Sequence, residues 1–405
     1  MHIELIIAFR FLREGKIQTL LVLGGITVGV GVIVFLSSLI TGLQANIIQK
    51  TLGTQAHVVM RPPDDEARVV ITNGPERTAP LIERRAQRLR SILQWQQVMR
   101  TIEQTPGVLA VSPMVSGASF AIRGNASKSV ALMGIEPDKL VHIVPMPSFI
   151  KEGAFRVSGT DAAIGIDLAR ELGASLGDKV RLTTSEGRSE VVTITGIFDV
   201  GVRDLNRRWV FIPLRLSQNL LDLIGGVSSI DVTVTDIFEA ETIGHGLEPL
   251  TGLTAESWMK TNSQLLLGLR SQNSSSYMIQ FFVIVAVAFG IASVLVVSVV
   301  QKSREIGILR AMGSTSQRIL RIFLIQGGVL GLVGSAFGCA IGAGLVKFFM
   351  LLAVNPDGSP YVPIVMEADV FILSASIAIC TGLIAATVPA FRAAKLDPVE
   401  AIRYG

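Results

Sequence analysis

Histidine and cysteine are the residues of this 405-residue chain best equipped for metal binding or nucleophilic chemistry, and their spacing assigns them neither role. His2, His57, His142 and His245 are scattered, with no pair at the short intervals a zinc site requires. Cys339 and Cys380 both fall inside long apolar runs, where small buried thiols packing as hydrophobes are expected. No G-x-S-x-G nucleophile elbow occurs, and no G-x-x-x-x-G-K-[ST] loop to cradle the phosphates of ATP. No catalytic residue and no metal ligand is therefore assigned. The strongest signal is the run Gln-Lys-Ser-Arg-Glu-Ile-Gly-Ile-Leu-Arg-Ala-Met-Gly at 301–313, whose chemistry is docking rather than bond-making. As a helix it sets Glu305, Ile308, Leu309 and Met312 on one side and Arg304 with Arg310 elsewhere. Gly313 is a natural stop, and Ser314 or Thr315 can cap the next helix. The run suits a lever for a partner, although a basic connection resting on a membrane surface fits the same residues.

The elements that position this run are apolar. Mean hydropathy is +0.54, and the excess lies in four uncharged stretches at 17–43, 279–300, 322–346 and 370–391. The shortest spans roughly 33 Å as a helix at about 1.5 Å per residue, enough to cross a hydrocarbon core of about 30 Å. The first exceeds the apolar core of a signal peptide, about 7–15 residues, and is read as a retained helix. Transmembrane helices are thus expected at 17–43, 277–300, 319–350 and 370–391. Lys and Arg crowd residues 1–16, 301–318 and 392–405, whereas 351–369 has Asp357, Glu367 and Asp369 and no basic residue. The positive-inside rule puts both termini and the 301–318 connection in the cytoplasm. The net charge of +4 comes from these edges, so it does not point to nucleic acid. None of the four stretches holds Asp or Glu, which argues against a proton- or sodium-coupled carrier.

Residues 44–276 carry 24 basic and 24 acidic side chains and no cysteine, and are long enough for a core of their own. Strands are expected at 56–61, 119–123, 130–135, 179–184, 190–198, 208–213 and 229–235. The last alternates Ile230, Val232 and Val234 with Asp231, Thr233 and Thr235, as a half-buried strand does. Helical stretches interleave at 80–103, 167–172, 214–223 and 238–250. The fold class is therefore an α-helical membrane protein with four transmembrane helices and a large α+β extracytoplasmic domain inserted between the first two. Residues 62–80 read as an exposed loop, 83–90 as a basic helix face, and the polar 271–276 as a joint.

The motif at 302–319, Lys-Ser-Arg-Glu-Ile-Gly-Ile-Leu-Arg-Ala-Met-Gly-Ser-Thr-Ser-Gln-Arg-Ile, strongly resembles the coupling segment of ABC-type permeases of the MacB/LolC/FtsX superfamily. The tail at 389–403 and the start Ala8-Phe9-Arg10-Phe11-Leu12 resemble that superfamily too, so the likeness covers essentially the whole chain. Gly165–Gly173, the Gly-Asp-Lys-Val at 177–180 and the Gly-Ile-Phe strand and turn at 196–201 lean toward its lipoprotein-releasing LolC/LolE branch. Arg203–Arg208 and the 62–100 segment depart from that pattern.

The resemblance implies a permease subunit that dimerises with a second copy or a paralogue and binds two copies of a cytoplasmic ABC ATPase. ATP and magnesium are then held by that ATPase, and no cofactor by this chain. Arg304, Glu305, Ile306, Gly307, Leu309, Arg310, Met312 and Gly313 would receive the ATPase stroke, with the first and second helices meeting an apolar substrate chain. The large domain would be periplasmic and the protein would sit in the inner membrane. Lipid-linked cargo such as a lipoprotein is the expected substrate, with an adaptor or lipoprotein carrier as further partner. Small-molecule efflux with a periplasmic adaptor, or regulation of a cell-wall hydrolase without transport, are the alternatives. Independently, Gly25 with Gly29, and Gly334 with Gly338 and Gly342, form small-residue faces for close helix packing, within the chain or at a dimer seam.

Overall fold

A computed structural model describes residues 2–63, 90–354 and 368–396, with Pro360, Val362, Ile364 and Met366 between the last two segments. It divides into two compact units, Met1–Ile48 with Leu267–Gly405, and Gln49–Leu266. Most of the loop and basic run expected at 62–90, and the tail beyond Leu396, lie outside the described residues.

The chain begins with α1 (His2–Glu14) and α2 (Lys16–Leu52). The intervening Gly15 donates its N–H to the Phe11 carbonyl, so only a bend separates the two helices. The second unit follows, with β1 (Val58–Arg61), α3 (Trp95–Glu103), β2 (Val108–Arg123), β3 (Ala126–Ile135) and α4 (Pro137–Leu140). Next come β4 (Ile150–Gly153), β5 (Asp161–Gly165), α5 (Ile166–Leu172), β6 (Lys179–Thr184) and β7 (Ser189–Phe198). It closes with α6 (Arg203–Arg208), β8 (Trp209–Pro213), α7 (Leu214–Leu220), β9 (Ser229–Val234), α8 (Ala240–Thr251), β10 (Thr254–Ser257) and α9 (Trp258–Thr261). The chain returns to the first unit with α10 (Ser263–Gln301), α11 (Ser303–Ala311), α12 (Ser316–Leu352) and α13 (Ala368–Lys395).

The ten strands make one mixed sheet in the order β10-β1-β9-β2-β3-β8-β5-β7-β4, with β6 pairing to β2 and β7. Three strands were not foreseen: β4, β5 and β10 have only four or five residues each, too few for an alternating signal, and are held by pairing with distant partners. One core of this unit gathers Ile135, Leu140, Met146, Phe198 and Phe211. Asp199, just after β7, accepts hydrogen bonds from the Gly201 N–H at 2.9 Å and the Asn206 amide at 2.7 Å. These bonds, the Gly201 N–H foremost, hold its carboxyl below the usual carboxylate range.

Two expectations change here. The strand at β9 is not half-buried: Ser229 and Asp231 are 5% and 6% exposed, because β1 and β2 flank it and the other face is covered as well. The polar run at 271–276 is not an open joint either. It lies inside α10, where Ser274 and Ser275 bond their hydroxyls back to carbonyls four residues earlier.

In the first unit, α2, α10, α12 and α13 are each long and apolar enough to cross a membrane, by length and composition. They extend beyond the expected spans, α10 by starting at Ser263 and α2 by running to Leu52. Ala8, Phe11, Ile26, Leu295, Ile306, Phe323 and Ala386 belong to one buried cluster that joins α1 and α11 to these helices. Cys339 is partly buried, but Cys380 is exposed, contrary to expectation, because it sits on an outward face of α13.

Candidate functional site

The elbow between α10 and α12 is built from local rules. After α11, Gly313 takes a left-handed conformation (φ +94°), which glycine adopts without steric cost. Its N–H bonds to the Arg310 carbonyl and that of Ser314 to the Leu309 carbonyl, the paired pattern that ends a helix on a glycine. Thr315 occupies the cap position of α12, but its side chain makes no capping bond.

The faces of α11 differ from the sequence expectation. Ile306 is wholly buried, Gly307 is buried, and Leu309 packs partly against the same cluster. Ile308 and Met312 point outward, 45% and 80% exposed, and Arg304 is exposed with them. Glu305 is not on a free apolar face; it accepts a hydrogen bond from Lys302 at 2.7 Å. Lys302 also pairs with Glu14, which pairs with Arg10 at 2.9 Å, and stands 5.6 Å over the Phe11 ring. Arg310 donates to the Leu396 carbonyl at the end of α13. The expected segment is therefore tied to α1 on one side and to α13 on the other. Lys302 and Glu14 were missed as positioning residues, since 288 positions separate them and no local periodicity couples them. Lys302 holds the Glu14 carboxyl below its usual range, with Arg10 adding to the effect.

Further along the same helices, α2 and α10 leave an apolar groove of about 370 Å³. Its walls are Leu21, Gly25, Val28, Gly29 and Val32 from α2, and Val283, Ala286, Val287, Gly290 and Val294 from α10, with no polar side chain in its lining. Gly25 has no heavy atom within 4 Å of where a Cβ would sit, so it opens the groove. At Gly29 a Cβ would lie 2.5 Å from Val287. Gly334 and Gly342 face Ile26 and Val34 of α2 in the same way, at 2.5 and 2.8 Å. The glycine stripe of α12 thus packs within the chain and is not an open seam.

Two family models match the chain in sequence. The model described as MacB-like periplasmic core domain matches residues 19–249, and that described as FtsX-like permease C-terminal matches 277–398. The chain is 25% identical to the lipoprotein-releasing system transmembrane protein LolC of Neisseria meningitidis serogroup B, over 99% of each chain. It is 24% identical to the lipoprotein-releasing system transmembrane protein LolE of Haemophilus influenzae, over 93% of this chain and 92% of that one. The macrolide export ATP-binding/permease protein MacB of Bdellovibrio bacteriovorus is 25% identical over 98% of this chain, which spans only 61% of that relative.

Proposed function

Because the chain belongs to the MacB-like periplasmic core domain family of ABC transporter permeases, with a LolC-like sequence, we propose that it extracts lipid-linked cargo such as lipoproteins from the outer leaflet of an inner membrane. The observation that carries this reading is the groove between α2 and α10, lined throughout by aliphatic side chains and glycine. A site without a single polar contact suits an acyl chain and does not select a hydrophilic solute.

In this reading both termini and α11 are cytoplasmic and the sheet unit is periplasmic. Two permease copies, or this chain and a paralogue, bind two copies of a separate ATPase that holds ATP and magnesium. The exposed Arg304, Ile308 and Met312 meet that ATPase. Buried Ile306 and Gly307, together with Leu309, fix α11 to the helices, while Gly313 sets the elbow angle. Glu305 and Arg310 carry the stroke through Lys302 to α1 and through the Leu396 carbonyl to α13. The periplasmic unit passes cargo to a carrier.

The test is release of a radiolabelled triacylated lipoprotein from nanodiscs by the copurified permease–ATPase complex. ATP-dependent release that Gly25→Phe suppresses while ATP hydrolysis continues supports the groove as the cargo site. Undiminished release by that variant removes it. Glu305→Lys should hydrolyse ATP without release; unchanged coupling in that variant removes the role of α11. The match to a macrolide exporter along 98% of this chain favours a second reading, small-molecule efflux with a periplasmic adaptor. That reading predicts ATPase stimulation by macrolides and none by lipoprotein.

A further inference from the structure

One face of the sheet in the second unit carries polar atoms that its neighbours leave unsatisfied. Ser112 stands directly opposite Asp231 in the β2–β9 pairing, and Thr233 lies two residues further along β9 on the same face. The hydroxyls of Ser112 and Thr233 are buried without a hydrogen-bond partner, and so is the amide nitrogen of Gln55. Asp231 itself is 6% exposed, and among the described residues no hydrogen bond or ion pair reaches its carboxylate. Unpaired buried groups of this kind are costly and uncommon, and several on one face call for a specific cause.

Next to Ser112 and Thr233, that face borders a cavity of about 170 Å³ whose polar lining is Thr54, Gln55, Arg61, Ser116, Ser229 and Asp231. Met114, Met133, Leu140, Val144, Trp209 and Phe211 make the apolar walls. A dry cavity of about 150 Å³ holds one benzene-sized group, which sets the scale of an occupant. The charges around Asp231 decide its sign. Arg61 on β1 lines the cavity but is already paired with Glu256 of β10 at 2.9 Å. Lys260, after β10, lines only the adjoining pocket, with Gln55, Arg61 and Glu256. His57, just before β1, hydrogen-bonds with Val234 and is kept toward its neutral form, its pKa lowered by burial. Glu256 pairs with Arg61 from outside the cavity, so Arg61 acts on Asp231 only through space and leaves its carboxylate without a bonded partner. Trp209 and Phe211 line the same space and add aromatic surface of the kind that attracts a cation.

We propose that this cavity is a binding site for a small organic ammonium ion with an apolar body about one ring in size, its nitrogen held by Asp231. Gln55 and the aromatic pair set the orientation of the body. The site stands apart from the transport reading, since it needs neither the ATPase nor the apolar groove. Burial pushes the Asp231 carboxyl up to about 7, against a downward pull from Arg61, so the site is half-ionised near neutrality. Amine binding therefore strengthens as pH rises from 6 to 8, because ionised Asp231 is the form that pairs with the ammonium.

The test uses the full chain in nanodiscs of neutral lipid, with Trp209 fluorescence as readout and Trp209→Phe as the blank. Phenethylamine, phenylethanol and phenylacetate are titrated as cationic, neutral and anionic probes of one shape. The expected result is phenethylamine bound about tenfold or more tightly than phenylethanol at pH 8, with no saturable signal from phenylacetate. Its affinity should fall about tenfold by pH 6 in the wild type and be flat with pH in Asp231→Asn. Equal binding of amine and alcohol, or an unchanged amine affinity in a folded Asp231→Asn, overturns the proposal. So does a wild-type affinity that does not vary with pH, which requires no variant to fold.

Discussion

Gly338 of α12 stands so close to Val30 of α2 that a Cβ built on it would lie 2.6 Å from the valine Cβ and 2.9 Å from the Thr27 carbonyl oxygen. A backbone oxygen cannot turn aside as a side chain can. Gly338→Leu should therefore destabilise the helical unit by about 1–3 kcal/mol through overpacking. Gly344→Leu, with no heavy atom within 4 Å, should be neutral or slightly stabilising, since leucine is the better helix former. Thermal unfolding of the two proteins in detergent, followed by circular dichroism, separates them. Equal melting temperatures would remove the close contact.

Ile306 in α11 and Met312, the residue that ends that helix, differ in exposure, one wholly buried and the other 80% exposed. Ile306→Ala should lower stability by about 2–5 kcal/mol, the range for emptying a buried aliphatic site. Met312→Ala should shift it by less than about 0.5 kcal/mol, yet weaken retention of the ATPase on an affinity column. A Met312→Ala chain that retains its ATPase fully would take that residue out of the docking face.

Asp231 makes stability depend on pH in an unusual direction. Its carboxyl titrates at about 7 in the fold and near 3.8 when unfolded, so between these values the folded chain binds more protons. Stability should therefore be full below the lower value and fall as pH rises through 7, by an amount on the order of a few kcal/mol. Asp231→Asn removes the charge and should flatten the profile, making the variant the more stable protein at pH 8. Urea unfolding at pH 5 and pH 8 measures this. A wild type more stable at pH 8 than the variant would reverse the assignment.

Gly165 approaches the α6 backbone closely: a Cβ there would lie 2.1 Å from the Asn206 carbonyl oxygen. Asn206 in turn holds Asp199 and accepts from the Val200 N–H at 3.0 Å. Gly165→Ala should displace this turn and cost about 1–3 kcal/mol. Gly246→Ala, with open space around it in α8, should cost nothing. The comparison is read by urea unfolding of the two variants.

Length, uncharged stretch and glycine stop are local properties, and the features that depend on them were legible in the chain. The four long apolar helices, the short α11 and the turn at Gly313 need only hydropathy, periodicity and one residue able to adopt positive φ. Family resemblance was legible for the same reason, since the 302–319 motif is continuous. What the tertiary structure decided depends on residues far apart in sequence. Alternation along β9 is the same whether its polar side meets water or a second layer, so the burial of Asp231 awaited the strands and helices that cover it. The Glu14–Lys302 pair joins two helices that only the fold brings together. Gly338 and Gly25 carry equivalent signals in the sequence, small residues spaced by four. Only packing made one a contact with Val30 and left the other open as the wall of a groove.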